Sequence, residues 1–190
     1  MKKINLLFDK PDYEKLLTKD RIINITGAVG SGKSTLARKY KDNNKYIVIG
    51  LDSVFGERDP ETRNQHALNI KKILLEKYRD KGELSSKYIV NYYEDILKYI
   101  KDNNKIGIIE GGSVGNVDLI SKLKGKIIVK RTVKIRCYIR AVVRDCKNPD
   151  WLEDLSFAGK LKRYIHVAIR RTEIFRNDEI DKFMTALDKK

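Results

Sequence analysis

Arg21-Ile22-Ile23-Asn24-Ile25-Thr26-Gly27-Ala28-Val29-Gly30-Ser31-Gly32-Lys33-Ser34-Thr35-Leu36-Ala37 is the stretch whose reading decides the fold. It begins as an apolar, β-branched run of the kind that forms a buried strand, crosses a glycine-rich turn and enters helix-like sequence. Gly27 to Ser34 fit the spacing G-x-x-x-x-G-K-[ST] of a phosphate-binding loop, in the strand-then-helix setting that this motif needs. Gly27, Gly30 and Gly32 allow the backbone to turn its N–H groups inward around phosphate oxygens, with Ser31 between them. The helix that opens at Lys33-Ser34-Thr35 adds its positive N-terminal end, so Thr35 joins the expected phosphate-binding set. Lys33 reaches the distal phosphates, and the Ser34 hydroxyl is placed to ligate Mg²⁺. The motif by itself does not distinguish kinases, nucleoside triphosphatases and transferases.

Working outward, short β-branched runs recur at 21–26, 46–50, 106–110 and 126–130, each separated from the next by helix-like sequence. That alternation predicts an α/β fold of the P-loop type: a parallel sheet flanked by helices in three layers, its ligand site at the carboxyl ends of the strands. Helices are expected over 62–81, 90–101, 134–146, 156–176 and 178–187, with one short helix between Ser113 and the fourth run, so the last third is mostly helical. A chain of 190 residues without a Pro/Gly-rich linker reads as a single domain, 1–190, with 1–20 as an N-terminal extension. The opening Met1 to Phe8 resembles a leader, but Asp9 ends its apolar stretch short of the usual ~7–15 residues, so export is not expected. No apolar run approaches the ~18 residues of a membrane span, and no membrane partner is expected. Cys137 and Cys146 are the two cysteines, too few for a disulfide framework, and read as reduced packing residues of a cytoplasmic protein. His66 and His166 have no triad or metal spacing and read as structural.

The 41 Lys and Arg against 26 Asp and Glu give a net charge of +15, so polyanions are the expected partners: a nucleotide, a diphosphate or a nucleic acid. The second run ends Ile49-Gly50-Leu51-Asp52-Ser53, which brings Asp52 to the same sheet edge as the loop, where a carboxylate can take a proton from an attacking nucleophile. Capping of a following turn is its structural alternative. Arg136, Arg140 and Arg144 recur every four residues and share one helical face, where like charges repel unless an anion lies between them. Lys130 and Arg131 at the end of the fourth run lie toward the same edge.

The aromatic-led helix beginning at Tyr88, followed by Ile106-Gly107-Ile108-Ile109-Glu110-Gly111-Gly112-Ser113, resembles the dimethylallyl (isopentenyl) transferase family, adenylate type. Gly27–Ser34, Asp52-Ser53, Glu110–Ser113 and the basic helix appear in that family's order. The resemblance implies that the loop, with Arg140 and Arg144, holds the diphosphate of dimethylallyl diphosphate in the presence of Mg²⁺. It also implies that Asp52 is the base on the exocyclic amine of an adenine nucleotide of the AMP type, the cytokinin-forming reaction. Ser53, Gly111, Gly112 and Ser113 would line the acceptor, and Glu110 the acceptor pocket or the metal's surroundings. Ala28-Val29 stands where the family usually has Pro-Thr, and Phe55 where a Gln is common. Gly30–Ala37 suits small-molecule kinases equally, so phosphoryl transfer from ATP stays open. The short stretch between Ser113 and the fourth run leaves no room for an RNA-gripping insertion, which disfavours tRNA as acceptor and nucleic acid as partner.

Overall fold

The computed structural model describes residues 3–6, 21–51, 54, 64–78, 88–111, 117–130, 134–146, 156–176 and 185. Among them five strands form one parallel sheet: β1 (Lys3–Leu6), β2 (Ile22–Thr26), β3 (Tyr46–Gly50), β4 (Ile106–Glu110) and β5 (Lys126–Lys130). Their order is β1-β5-β2-β4-β3. The helices are α1 (Lys33–Arg38), α2 (Gln65–Lys77), α3 (Ile89–Asp102), α4 (Val117–Lys122), α5 (Lys134–Cys146) and α6 (Phe157–Arg176). The α/β expectation therefore holds, with helices on both faces. The region expected to be an N-terminal extension contributes β1, which pairs with β5 at the edge of the sheet. Among the described residues no helix is long and apolar enough to cross a membrane.

Strand alternation sorts the core. Ile23 and Ile25 of β2 pack with Val48, Ile108 and Ile128 under Leu36 and Ala37 of α1. On the opposite face Ile47, Ile49 and Ile109 meet Ile70 and Leu74 of α2 and Ile96 and Ile100 of α3. Complete burial of such side chains contributes about 1.5–3 kcal/mol each before the entropy of ordering is counted. Asn24 points from β2 toward the second face, and a polar atom there must be satisfied. It donates to the Lys124 carbonyl (2.6 Å) and accepts from the Tyr93 hydroxyl (2.9 Å), which in turn accepts from the Lys124 amide (3.0 Å). This closed network ties α3 to β2 and to the turn before β5, and burial drives the Tyr93 phenol's pKa upward.

Helix α2 starts where Asn64 caps it: the Asn64 carboxamide oxygen accepts from the Ala67 amide (2.9 Å). The same side chain donates to the Val48 carbonyl (2.6 Å), so the cap also fixes α2 over β3. At its other end Asp95 of α3 accepts from Lys77 (2.6 Å) and from the Tyr78 hydroxyl (2.8 Å).

Candidate active site

The carboxyl edge of the sheet carries the predicted glycine loop, with Lys130 and Arg140 beside it. β2 runs directly into the loop, and the loop into α1. A tight turn brings the Ser31 amide onto the Ala28 carbonyl (3.1 Å), and Gly27, Gly30 and Gly32 all take positive φ. Two of these glycines are constrained in different ways. At Gly30 (φ 75°) a Cβ would sit 2.3 Å from the Cys137 carbonyl oxygen, because α5 rests its backbone directly on the loop. At Gly32 (φ 95°) a Cβ would meet nothing closer than the Arg140 guanidinium, 3.8 Å away, and the Lys130 Cε, 3.9 Å away. The space over Gly32 is thus bordered by two cations from two other elements.

Lys33 folds back and donates its ammonium to the Ala28 carbonyl (3.1 Å), spanning its own loop. Ser34 donates its hydroxyl to Oε1 of Glu110 (3.2 Å), and Glu110 is buried at the last position of β4, in register with Ile25. Lys130, at the end of β5, is also nearly buried. Burial raises the Cys137 thiol's pKa, while the charges of Lys33 and Arg140 pull it down. Cys137 is a fully buried thiol and Cys146 a half-buried one.

Of the predicted phosphate-binding set, Gly27, Gly30, Ser31, Gly32, Lys33, Ser34 and Thr35 form the loop and the first turn of α1, and Arg140 reaches it. Arg136 and Arg144 are exposed one turn to either side of Arg140 on the same face of α5. Asp52, Ser53, Gly112 and Ser113, with Arg131, lie outside the described residues. Their immediate neighbours do meet: a Cβ on Gly111 would lie 3.0 Å from the Leu51 Cβ, and the Gly111 amide donates to Ile25 (3.2 Å). The ends of β3 and β4 are thus drawn together beside the loop.

Ser34 and Glu110 present two hard oxygen atoms at hydrogen-bond distance, a donor set that suits Mg²⁺ completed by water and phosphate oxygens. No cluster of three or more His, Cys, Asp or Glu side chains that could hold a metal occurs among the described residues. His66 hydrogen-bonds the Tyr99 hydroxyl (3.0 Å) between α2 and α3. The pairing of Ser34 with Glu110 and the seating of α5 on Gly30 follow from strand adjacency and helix packing, which motif spacing does not carry. No protein-family model matches the chain, and no curated protein matches it.

Proposed function

We propose that this chain is a P-loop-type prenyltransferase that moves a dimethylallyl group from dimethylallyl diphosphate to the exocyclic amine of an adenine nucleotide. The observation that carries the reading is the approach of Lys130 and Arg140 to the space over Gly32, on a glycine loop that Lys33 spans to the Ala28 carbonyl and that leads into the Ser34–Glu110 pair. Two cations over a glycine loop that carries a third fit a diphosphate, and the family resemblance supplies the rest of the substrate.

In this mechanism the loop amides, Lys33, Lys130 and Arg140 hold the diphosphate and stabilise the charge that grows on it as it leaves. Ser34 and Glu110 would hold Mg²⁺, which would supply neutralisation of part of that charge. The amine nitrogen attacks the allylic carbon. A C–N bond forms, the C–O bond to diphosphate breaks with its electron pair, and the nitrogen's proton passes to Asp52. Leu51 and Gly111 border the edge on which the acceptor residues Ser53, Gly112 and Ser113 are expected.

The same cradle suits phosphoryl transfer from ATP to a small molecule, and the Ser34–Glu110 pair supports this second reading too, since a triphosphate with Mg²⁺ would use such a pair equally well. One experiment separates them. The protein is given AMP with dimethylallyl diphosphate, or ATP with candidate acceptors, and products are identified by mass. AMP enlarged by one prenyl unit supports the proposal; ATP consumed only when an acceptor is added overturns it in favour of the kinase.

A further inference from the structure

Helix α5 packs the wrong way round for a helix whose only task is to cover a core. It buries its small residues, Cys137 (0 % exposed) and Ala141 (1 %), and turns Ile135 (62 %), Ile139 (52 %) and Val143 outward. Helix α6 does the same: Val167 is buried, while Phe157 (84 %), Leu161, Ile165 and Ile169 recur every four residues along an exposed stripe. A core-covering helix sheds free energy by facing its large aliphatic residues inward, so two neighbouring helices with the opposite arrangement mark a surface that something else covers.

The two stripes share one side of the molecule. The helices meet where Tyr138 donates to the Ala168 carbonyl and accepts from Thr172. At about 100° per residue, Cys137, Tyr138 and Ile139 step from buried, through the contact, to exposed, and so do Val167, Ala168 and Ile169. Both stripes therefore flank the same seam. Beyond each stripe, on the side away from the seam, come exposed cations: Arg136 and Arg144 on α5, one turn to either side of the Arg140 that serves the loop, and Lys162 and Arg170 on α6. The result is an apolar strip with a basic rim along both edges.

We propose that this strip docks on an anionic lipid surface, its aliphatic side chains entering the headgroup boundary and its rim cations reaching lipid phosphates. Charge complementarity decides the occupant. A second copy of the chain would set basic rim against basic rim. An RNA would use the cations and leave the aliphatic stripe in water. An anionic interface answers both features at once, along the 20 residues of α6, about 30 Å of helix. The sequence has no spanning run, and a helix pair lying in the interface needs none; the proposal replaces the expectation that no membrane is involved. It is independent of the reaction assigned above.

The test is sedimentation of the full chain with vesicles of phosphatidylserine and phosphatidylcholine, or of phosphatidylcholine alone, without substrates. The protein should pellet with the anionic vesicles and stay in solution with the neutral ones. Leu161→Gln with Ile165→Gln, and separately Lys162→Glu with Arg170→Glu, should each lower the vesicle affinity about tenfold. These side chains are exposed, so folding is retained, and Phe157→Gln, at the most exposed site, serves as a second apolar variant. Three results overturn the proposal: no pelleting with anionic vesicles; pelleting that the apolar variants leave unchanged, which is attraction by net charge alone; or a dimer lost in L161Q/I165Q with no vesicle binding, which assigns the strip to a second copy.

Discussion

Alanine at Gly30 and alanine at Gly32 should fail for different reasons. At Gly30 the left-handed backbone (φ 75°) costs a non-glycine residue about 1–2 kcal/mol. The new methyl would also stand 2.3 Å from the Cys137 carbonyl, and relieving that means moving α5 off the loop. Overpacking of this kind costs about 1–3 kcal/mol, so Gly30→Ala should lose roughly 2–5 kcal/mol in all. At Gly32 (φ 95°) the strain is of the same size, but the nearest atoms, on Arg140 and Lys130, are at ordinary contact distance. Gly32→Ala should therefore lose only about 1–2 kcal/mol.

Urea unfolding followed by circular dichroism gives both numbers from the midpoints, provided that the slope is unchanged. Pyrophosphate titration by calorimetry then supplies the complementary half. The Gly32 methyl projects into the space between the two cations, so binding should weaken by at least about tenfold while the protein stays folded. If Gly30→Ala is no more destabilising than Gly32→Ala, α5 does not rest on the loop. If Gly32→Ala binds pyrophosphate as the parent does, the space over Gly32 is not the anion site.

Lys33→Ala should leave the melting temperature nearly unchanged and abolish turnover, since the ammonium's one described contact is the Ala28 carbonyl; near-normal activity would remove the phosphate-loop argument. Asp52→Asn should lower kcat at least ~10²-fold with little change in donor affinity, and a loss of folding in its place would point to a capping role. In Mg²⁺, dimethylallyl diphosphate should raise the melting temperature more than ATP does, by mass action on the folded state, and stabilisation by ATP alone would favour the kinase. Burial, then the charge of Lys105, lowers the His66 pKa below its usual 6.5. The unfolded chain thus binds this proton more readily than the folded one. The stability involved is present above that usual value and is lost as pH falls toward the lowered one, so His66→Gln should flatten the decline in melting temperature between about pH 7.5 and 5.5.

Most of the sheet was legible because a parallel strand buried on both faces must be apolar along its whole length, and 46–50, 106–110 and 126–130 are the observed strands. Strand β1 was not. Lys3-Ile4-Asn5-Leu6 is a four-residue edge strand, and its pairing with β5 depends on residues more than a hundred positions away. Helix α2 was expected from residue 62, but it starts at Gln65 because Asn64 caps it, a local signal that the apolar spacing overrides only on paper. In α3 Ile96 and Ile100 are buried at helical spacing with Leu97 half-buried beside them, and Tyr92 and Tyr93 are fully buried as well. A tyrosine enters a core when its hydroxyl finds a partner, and for Tyr93 those partners, Asn24 and Lys124, come from other elements.

The site divides along the same line. The loop is legible because its spacing, glycines and lysine are local chemistry, and its placement at the carboxyl edge follows from parallel topology. The choice among Arg136, Arg140 and Arg144 is not local, since four-residue spacing makes them equivalent on a helix. What separates them is the phase of α5 against the loop, set where Gly30 admits the Cys137 carbonyl, and this contact brings Arg140 to Gly32. The absence of a side chain at Gly30 thus selects a cation from another element. A substitution at Gly30 that leaves the chain folded should displace Arg140 and weaken anion binding without touching any ligand atom, whereas Arg136→Ala, one turn before Arg140, should leave pyrophosphate binding close to that of the parent.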